Sequence, residues 1–128
     1  MTFSTKLVIV ALPLLLDGLP ADQIDRRVEA ALAQLGIPDK GPMRPEELSG
    51  GEMLRVALAR ALVIEPTIVL ADEPTGSLDR NNSQNVMEIF REIHAARGTT
   101  IVLVTHDPDV AAGTSRRIRL VDGHAHEA

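Results

Sequence analysis

The sequence predicts an α/β fold in which two parallel strands, joined by a crossover helix, are followed by a terminal hairpin. Three observations carry this. Thr67-Ile68-Val69-Leu70-Ala71 and Thr100-Ile101-Val102-Leu103-Val104-Thr105 are short, continuous apolar runs, the pattern of strands buried on both faces. Between them Val86, Ile89, Phe90 and Ile93 recur at helical spacing, which predicts a helix from about Arg80 to Arg97. Strand, helix and strand with a crossover of this length form a βαβ unit, whose strands are parallel. Arg117 to Val121 alternates and Asp122-Gly123 has hairpin-turn chemistry, so an antiparallel hairpin closes the chain.

The other elements follow in order. Residues 1–16 are ambiguous between strand and helix. Leu7 to Leu16 is an apolar run of ten residues broken by Pro13. Crossing a bilayer takes about 20 apolar residues, so this is not a transmembrane helix. Lys6 before the run and Pro20-Ala21 after it imitate a short signal peptide, but a buried or partner-facing segment agrees better with the rest of the chain. Asp17-Gly18-Leu19-Pro20 is a turn cluster. Ile24, Val28, Ala31, Leu32 and Leu35 lie at helical spacing, with Asp22 expected as N-cap and Gly36 as the stop. Ile37 to Glu47, with Pro38, Gly41, Pro42 and Pro45, reads as loop. Leu54, Leu58, Ala61 and Leu62 share one face of a helix from about Gly51 to Ile64. Asp79 is expected to cap the crossover helix and Gly98 to end it. Asp107-Pro108 opens a further short helix.

Composition narrows the function. Lys and Arg number 13 against 18 Asp and Glu, a net charge of −5. Nucleic-acid binding needs a basic face, so no nucleic-acid partner is expected. Two Phe and no Trp or Tyr leave no base-stacking platform. The lack of Cys excludes disulfides, thiolate nucleophiles and Cys-based zinc sites. No Gly-x-Ser-x-Gly elbow supports a serine hydrolase. His124-x-His126-Glu127 has metal-ligand chemistry, but a flexible polar tail is the expected reading.

Four short features carry chemistry. Leu48-Ser49-Gly50-Gly51-Glu52 precedes a helix. Ser49 can cap it, the glycines let a ligand approach the backbone, and the free N–H groups at the helix start suit an anion. Asp72-Glu73-Pro74 stands at the carboxyl end of the first parallel strand, the edge where open α/β sheets bind ligands. Asp72 is a hard oxygen donor suited to Mg²⁺, directly or through water, and Glu73 can polarise an attacking water. Thr75-Gly76-Ser77-Leu78-Asp79 is a loop before a helix. His106 ends the second parallel strand on the same edge as Asp72 and Glu73, where an imidazole can reach a terminal phosphate.

These four features, in this order and at these spacings, resemble the nucleotide-binding domain of an ATP-binding cassette (ABC) transporter. The resemblance covers about Val10 to Val121. Thr75-Gly76-Ser77-Leu78-Asp79 and Ala11-Leu12-Pro13-Leu14-Leu15-Leu16 resemble the branch serving lipoprotein release, macrolide export and the cell-division complex. The resemblance implies part of a P-loop NTPase core, from about residue 66 to 128, and a helical signature subdomain from about 10 to 65. It implies that Ser49, Gly50, Gly51 and Glu52 form the signature loop at the γ-phosphate of ATP held by the opposite subunit. Glu52 stands where the family commonly has Gln. It implies Mg²⁺ at Asp72, a catalytic base in Glu73, a dimer-interface residue in Asp79 and the switch histidine in His106. The implied partners are a membrane permease and a second nucleotide-binding subunit. The implied location is cytoplasmic, peripheral at the inner face of the cytoplasmic membrane.

One family element is missing. The phosphate loop is Gly-x-x-x-x-Gly-Lys-Ser/Thr. Gly36 and Gly41 have the right separation, but Pro42-Met43 follows. The glutamine loop and the aromatic that stacks on the base are absent too. The resemblance therefore points to an incomplete ABC domain, and autonomous ATP hydrolysis is not expected without the phosphate loop. A non-hydrolytic interaction or regulatory module, or an inactive remnant, stays open as an alternative.

Overall fold

A computed structural model describes residues 5–37 and 48–128. Three helices come first: α1 (Thr5–Leu16), α2 (Ala21–Gln34) and α3 (Gly50–Leu62). The segment left ambiguous in sequence is thus helical over Thr5–Leu16. Pro13 sits inside α1, where it removes a backbone donor. Tertiary packing decides the matter: Val10, Ala11 and Leu14 are buried, and α1 lies against both α3 and α2. The expected loop beyond Ile37 lies outside the described residues.

Helix α2 starts two residues earlier than its polar pattern suggests. Pro20, not Asp22, holds the N-cap position, and Asp22 lies in the first turn, where its charge complements the helix dipole. The far end is as expected. Gly36 is left-handed at φ 64°, its N–H donates to Ala33 O, and the Ile37 N–H donates to Leu32 O. This pair of bonds is a Schellman motif, and its apolar partners Leu32 and Ile37 are both buried. Arg55 of α3 donates to Leu35 O at 3.3 Å, covering one more carbonyl of that end. In α3 the buried stripe is Val56, Leu58, Ala59 and Leu62, with Leu54 and Ala61 only half-buried at its margin.

The βαβ unit matches its sequence pattern closely. Strand β1 (Ile68–Asp72) leads to α4 (Arg80–Arg97) and then to β2 (Thr100–Val104). The strands are parallel, with Ile68 opposite Thr100 and Asp72 opposite Val104. Asp79 caps α4 by accepting from Asn82 N at 2.8 Å, and left-handed Gly98 ends it. Val86, Met87, Ile89, Phe90 and Ile93 form its buried stripe. Helix α5 (Pro108–Ala112) has Asp107 as N-cap and Pro at its start. Strands β3 (Ile118–Val121) and β4 (His124–Glu127) form the antiparallel hairpin, turning through Asp122 and Gly123 at φ 49° and 78°. The expected flexible tail is therefore a strand. Arg116 forks onto both Glu127 oxygens at 2.8 and 3.1 Å and clips the hairpin shut.

The two parallel strands are apolar on both faces but, among the described residues, covered on one, the poorly covered face expected of an incomplete ABC domain. Val69 is buried, and Ala71, Ile101 and Leu103 pack against the core on the same side. On the other side Leu70 is 78% exposed, with Ile68, Val102 and Val104 exposed beside it. The pattern of an apolar run reports what a strand can bury, while the layers present decide what it does bury.

This asymmetry sets the first expected outcome. Ile93 is 1% exposed, so Ile93→Ala should lower unfolding stability by about 2–5 kcal/mol. Leu70→Ala should stay within about 0.5 kcal/mol of the parent. Urea unfolding of both variants measures the contrast; equal losses would contradict the assignment of the covered face.

Candidate functional site

The carboxyl edge of the β1/β2 sheet gathers the reactive groups. Glu73 follows β1 directly, in the left-handed region at φ 47°, an unfavourable setting for a residue with a Cβ. Its surroundings hold it there. Its N–H donates to Val104 O at 2.7 Å, extending the parallel ladder one step. Its carbonyl accepts from Gly76 N. Its Oε1 accepts the His106 backbone N–H at 3.0 Å and lies 2.5 Å from His106 Nδ1. The turn after β1 is thus tied to the turn after β2, across 33 residues of sequence.

The contact has an electrical consequence. The Glu73 carboxylate, through its hydrogen bond first and its charge second, holds the His106 imidazole above its ordinary value of 6.5; Asp107 adds a smaller push upward. With Nδ1 engaged by Glu73, Nε2 is the ring nitrogen left for a ligand. Glu73, His106, Arg80, Ser83, Arg91 and Asp109 are among the residues lining a cavity of about 700 Å³.

A second cavity, about 490 Å³, lies between two helix starts. Ser49, Gly50, Gly51 and Glu52 line it from α3; Ser77, Leu78, Asp79 and Asn82 line it from the start of α4. Ser49 caps α3, its Oγ accepting from Glu52 N at 3.1 Å, while Met53 N reaches Ser49 O. The N–H groups of Gly50 and Gly51 have no helical acceptor, as at any helix start. Both glycines lie outside the left-handed region. A Cβ on Gly50 would meet Leu78 at 3.9 Å and one on Gly51 would meet Asn82 at 3.9 Å, ordinary contacts. Among the described residues, nothing requires glycine at these two positions.

The residues singled out in sequence are thus placed in two groups. Asp79 joins Ser49, Gly50, Gly51 and Glu52 in one cavity, and Glu73 joins His106 in the other. Asp72, exposed at the end of β1, lines neither. Asp79 spends both oxygens on Asn82, accepting from its N and its Nδ2. Among the described residues no three His, Cys, Asp or Glu side chains converge as a metal cluster. Asp72 offers one exposed carboxylate at the strand end, a hard oxygen donor of the kind Mg²⁺ takes together with phosphates and water. Sequence reasoning missed Asn82, Arg55, Arg80 and Arg91. The first was readable as the partner of an N-cap Asp; the arginines are placed by tertiary packing alone.

Comparison with known proteins agrees with this geometry. The family model described as "ABC transporter" matches residues 2–76. The chain belongs to the ABC transporter family. The match starts ahead of Val10, so the family likeness reaches further towards the start than the motifs indicated. The chain is 47% identical over 119 residues to the lipoprotein-releasing system ATP-binding protein LolD of Aquifex aeolicus, covering 93% of this chain and 53% of that one. It is 47% identical over 114 residues to the macrolide export ATP-binding/permease protein MacB of Aggregatibacter actinomycetemcomitans, covering 89% and 18%. The chain thus spans about half the length of the first relative and far less of the second. These names agree with the lipoprotein-release and macrolide-export branch. Among solved structures, the dimeric bacterial ABC transporter cassette MJ0796 superposes with a TM-score of 0.82 at 36% identity, covering 97% of this chain and 56% of that one. No helix among the described residues is long and apolar enough to cross a membrane.

A raised folded-state value for His106 means the Glu73–His106 pair supports the fold below pH 6.5 and loses that support as pH rises through the raised value. Proton NMR titration should place His106 above 6.5, and Glu73→Gln should bring it back towards 6.5. An unchanged His106 titration in that variant would contradict the coupling.

Proposed function

We propose that this chain carries the signature-loop and switch region of an ATP-binding subunit in an ABC transporter. In that reading ATP binding and hydrolysis are coupled to transport through a separate membrane permease, on the cytoplasmic side of the membrane. The observation that carries it is the meeting of Glu73 and His106 at the carboxyl edge of two parallel strands. A carboxylate oriented by an imidazole beside a phosphate site has the chemistry of a base for water attack.

In this reading each residue has a role that the geometry supports. Glu73 takes the proton of the attacking water. His106 holds one Glu73 oxygen through Nδ1 and offers Nε2 to a γ-phosphate oxygen. Asp72 would hold Mg²⁺, which offsets phosphate charge. The Gly50 and Gly51 N–H groups, with Ser49 fixing the turn and Glu52 beside them, donate to the γ-phosphate of ATP held by a second nucleotide-binding subunit. Their missing side chains are what let that ATP come close. Asp79, locked by Asn82, shapes the facing wall of the same cavity and the dimer interface.

Two variants test this in a complete cassette, made by joining this chain to the unmatched part of LolD. Glu73→Gln should lower hydrolysis by about 10²–10⁴-fold and leave ATP affinity within a few-fold, because a positioned base acts in the transition state. Hydrolysis within a few-fold of the parent would contradict the role of Glu73. Gly50→Ala should keep or slightly raise the melting temperature, since Ala is favoured over Gly in helices by up to about 1 kcal/mol. The same variant should lose most of its hydrolysis. Full activity in Gly50→Ala would show that no ligand approaches there.

A further inference from the structure

We propose that His124 and His126 of β4 form a two-histidine site for a divalent ion of the zinc class on one face of the terminal hairpin. The site stands apart from the ABC reading and does not depend on it. Successive side chains of a strand point to opposite faces, so residues two apart share a face. His124 and His126 are such a pair, with Ala125 between them turned the other way. At the rise of a strand their Cα atoms lie about 7 Å apart. Two imidazoles leaning together across that span can each bring a nitrogen to about 2.0–2.1 Å from one ion. Both residues are exposed, and neither ring has a hydrogen-bond or ion-pair partner among the described residues.

The strand that carries them is fixed at both ends. Asp122 and Gly123 turn the chain just ahead of His124 at φ 49° and 78°. Beyond His126, Arg116 forks onto Glu127 and the Ala128 N–H donates to Arg117 O at 3.0 Å. The register sets Val121 opposite His124 and Arg119 opposite His126. An ion therefore meets two rings already held on one face, and little backbone freedom is lost on binding. The fold also withdraws a donor that the sequence offers. Glu127 alternates to the other face, and Arg116 occupies both of its oxygens. The donor set is two nitrogens, with water completing the shell. Imidazole nitrogen suits Zn²⁺, Cu²⁺ and Ni²⁺, whereas Mg²⁺ prefers oxygen, so this site differs in chemistry from the Asp72 carboxylate. Arg119, across from His126, is the charge that opposes an ion here.

Calorimetric titration of Zn²⁺ into the untagged 128-residue chain tests the site, and electron paramagnetic resonance with Cu²⁺ reads its nitrogen ligands. The expected result is saturable binding and a two-nitrogen signature. His124→Gln and His126→Gln should each weaken Zn²⁺ binding by at least about ten-fold, since even changes around a ligand cost about 10–100-fold. Arg119→Ser should tighten it, and His106→Gln should leave it unchanged. The decisive variant pairs Ala125→His with His126→Ala. It keeps all four histidines of the chain but moves one ring to the opposite face, and it should bind no better than the single variants. Circular dichroism of each variant confirms that the fold persists. Parent-like binding by the exchanged pair assigns the ion to a flexible tail and overturns the proposal. Loss of binding in His106→Gln assigns the ion to the Glu73–His106 pair and overturns it too. So does unchanged binding in His124→Gln and His126→Gln, or no binding by the parent.

Discussion

Glu73 is held through its N–H, its carbonyl and one carboxylate oxygen, and much of the molecule is arranged around that junction. The N–H bond to Val104 continues the parallel ladder. The carboxylate binds the backbone and ring of His106, which fixes the exit of β2. The carbonyl starts the tight turns through Gly76 and Leu78 that deliver Asp79 to its capping position. A left-handed glutamate is costly, by about 1–3 kcal/mol for such strained backbones, and it persists because each of these bonds specifies the same geometry. The same constraint that closes the fold therefore presents the carboxylate and the imidazole together on one sheet edge.

The chemistry is divided between two cavities. One holds the Glu73–His106 pair, and the other holds the exposed N–H groups of Gly50 and Gly51 opposite Asn82. A single ligand bound within one copy has no reason to bridge them. In the proposed reading a pair of subunits does, each lending its glycine surface to a phosphate on the other. The glycines are informative for this reason. Among the described residues nothing requires them, and in the proposed reading their value is in an approach from outside.

The sequence made the βαβ unit legible almost residue for residue. Asp79, Gly98 and the Val86–Ile93 stripe are local signals, and their caps and spacing act within one helix. Asp122-Gly123 marked the hairpin turn for the same reason. The strand–helix ambiguity before Leu16 was not resolvable locally, since Pro13 argues against a helix that packing with α3 nonetheless sustains. Asp22 misled because a good capping residue two positions late looks like a cap. The open sheet face was legible only through the incomplete family resemblance, because an apolar run by itself does not state which layers exist to cover it. At the site, Ser49, Glu73 and His106 were visible as motif residues, but the division into two cavities, with Asp72 in neither, is a tertiary fact. Arg55 and Arg91 reach their positions only through folding, each bonding a carbonyl about 20 residues away.

In the proposed reading Glu73 and His106 act on a terminal phosphate, while the 128 residues contain no Gly-x-x-x-x-Gly-Lys-Ser/Thr cradle to bind one in cis. Calorimetric titration of MgATP into the 128-residue chain tests it most directly. The account predicts no measurable heat of binding up to roughly millimolar nucleotide, a free energy no more favourable than about −4 kcal/mol. A saturable isotherm with micromolar affinity, about −8 kcal/mol, would contradict it.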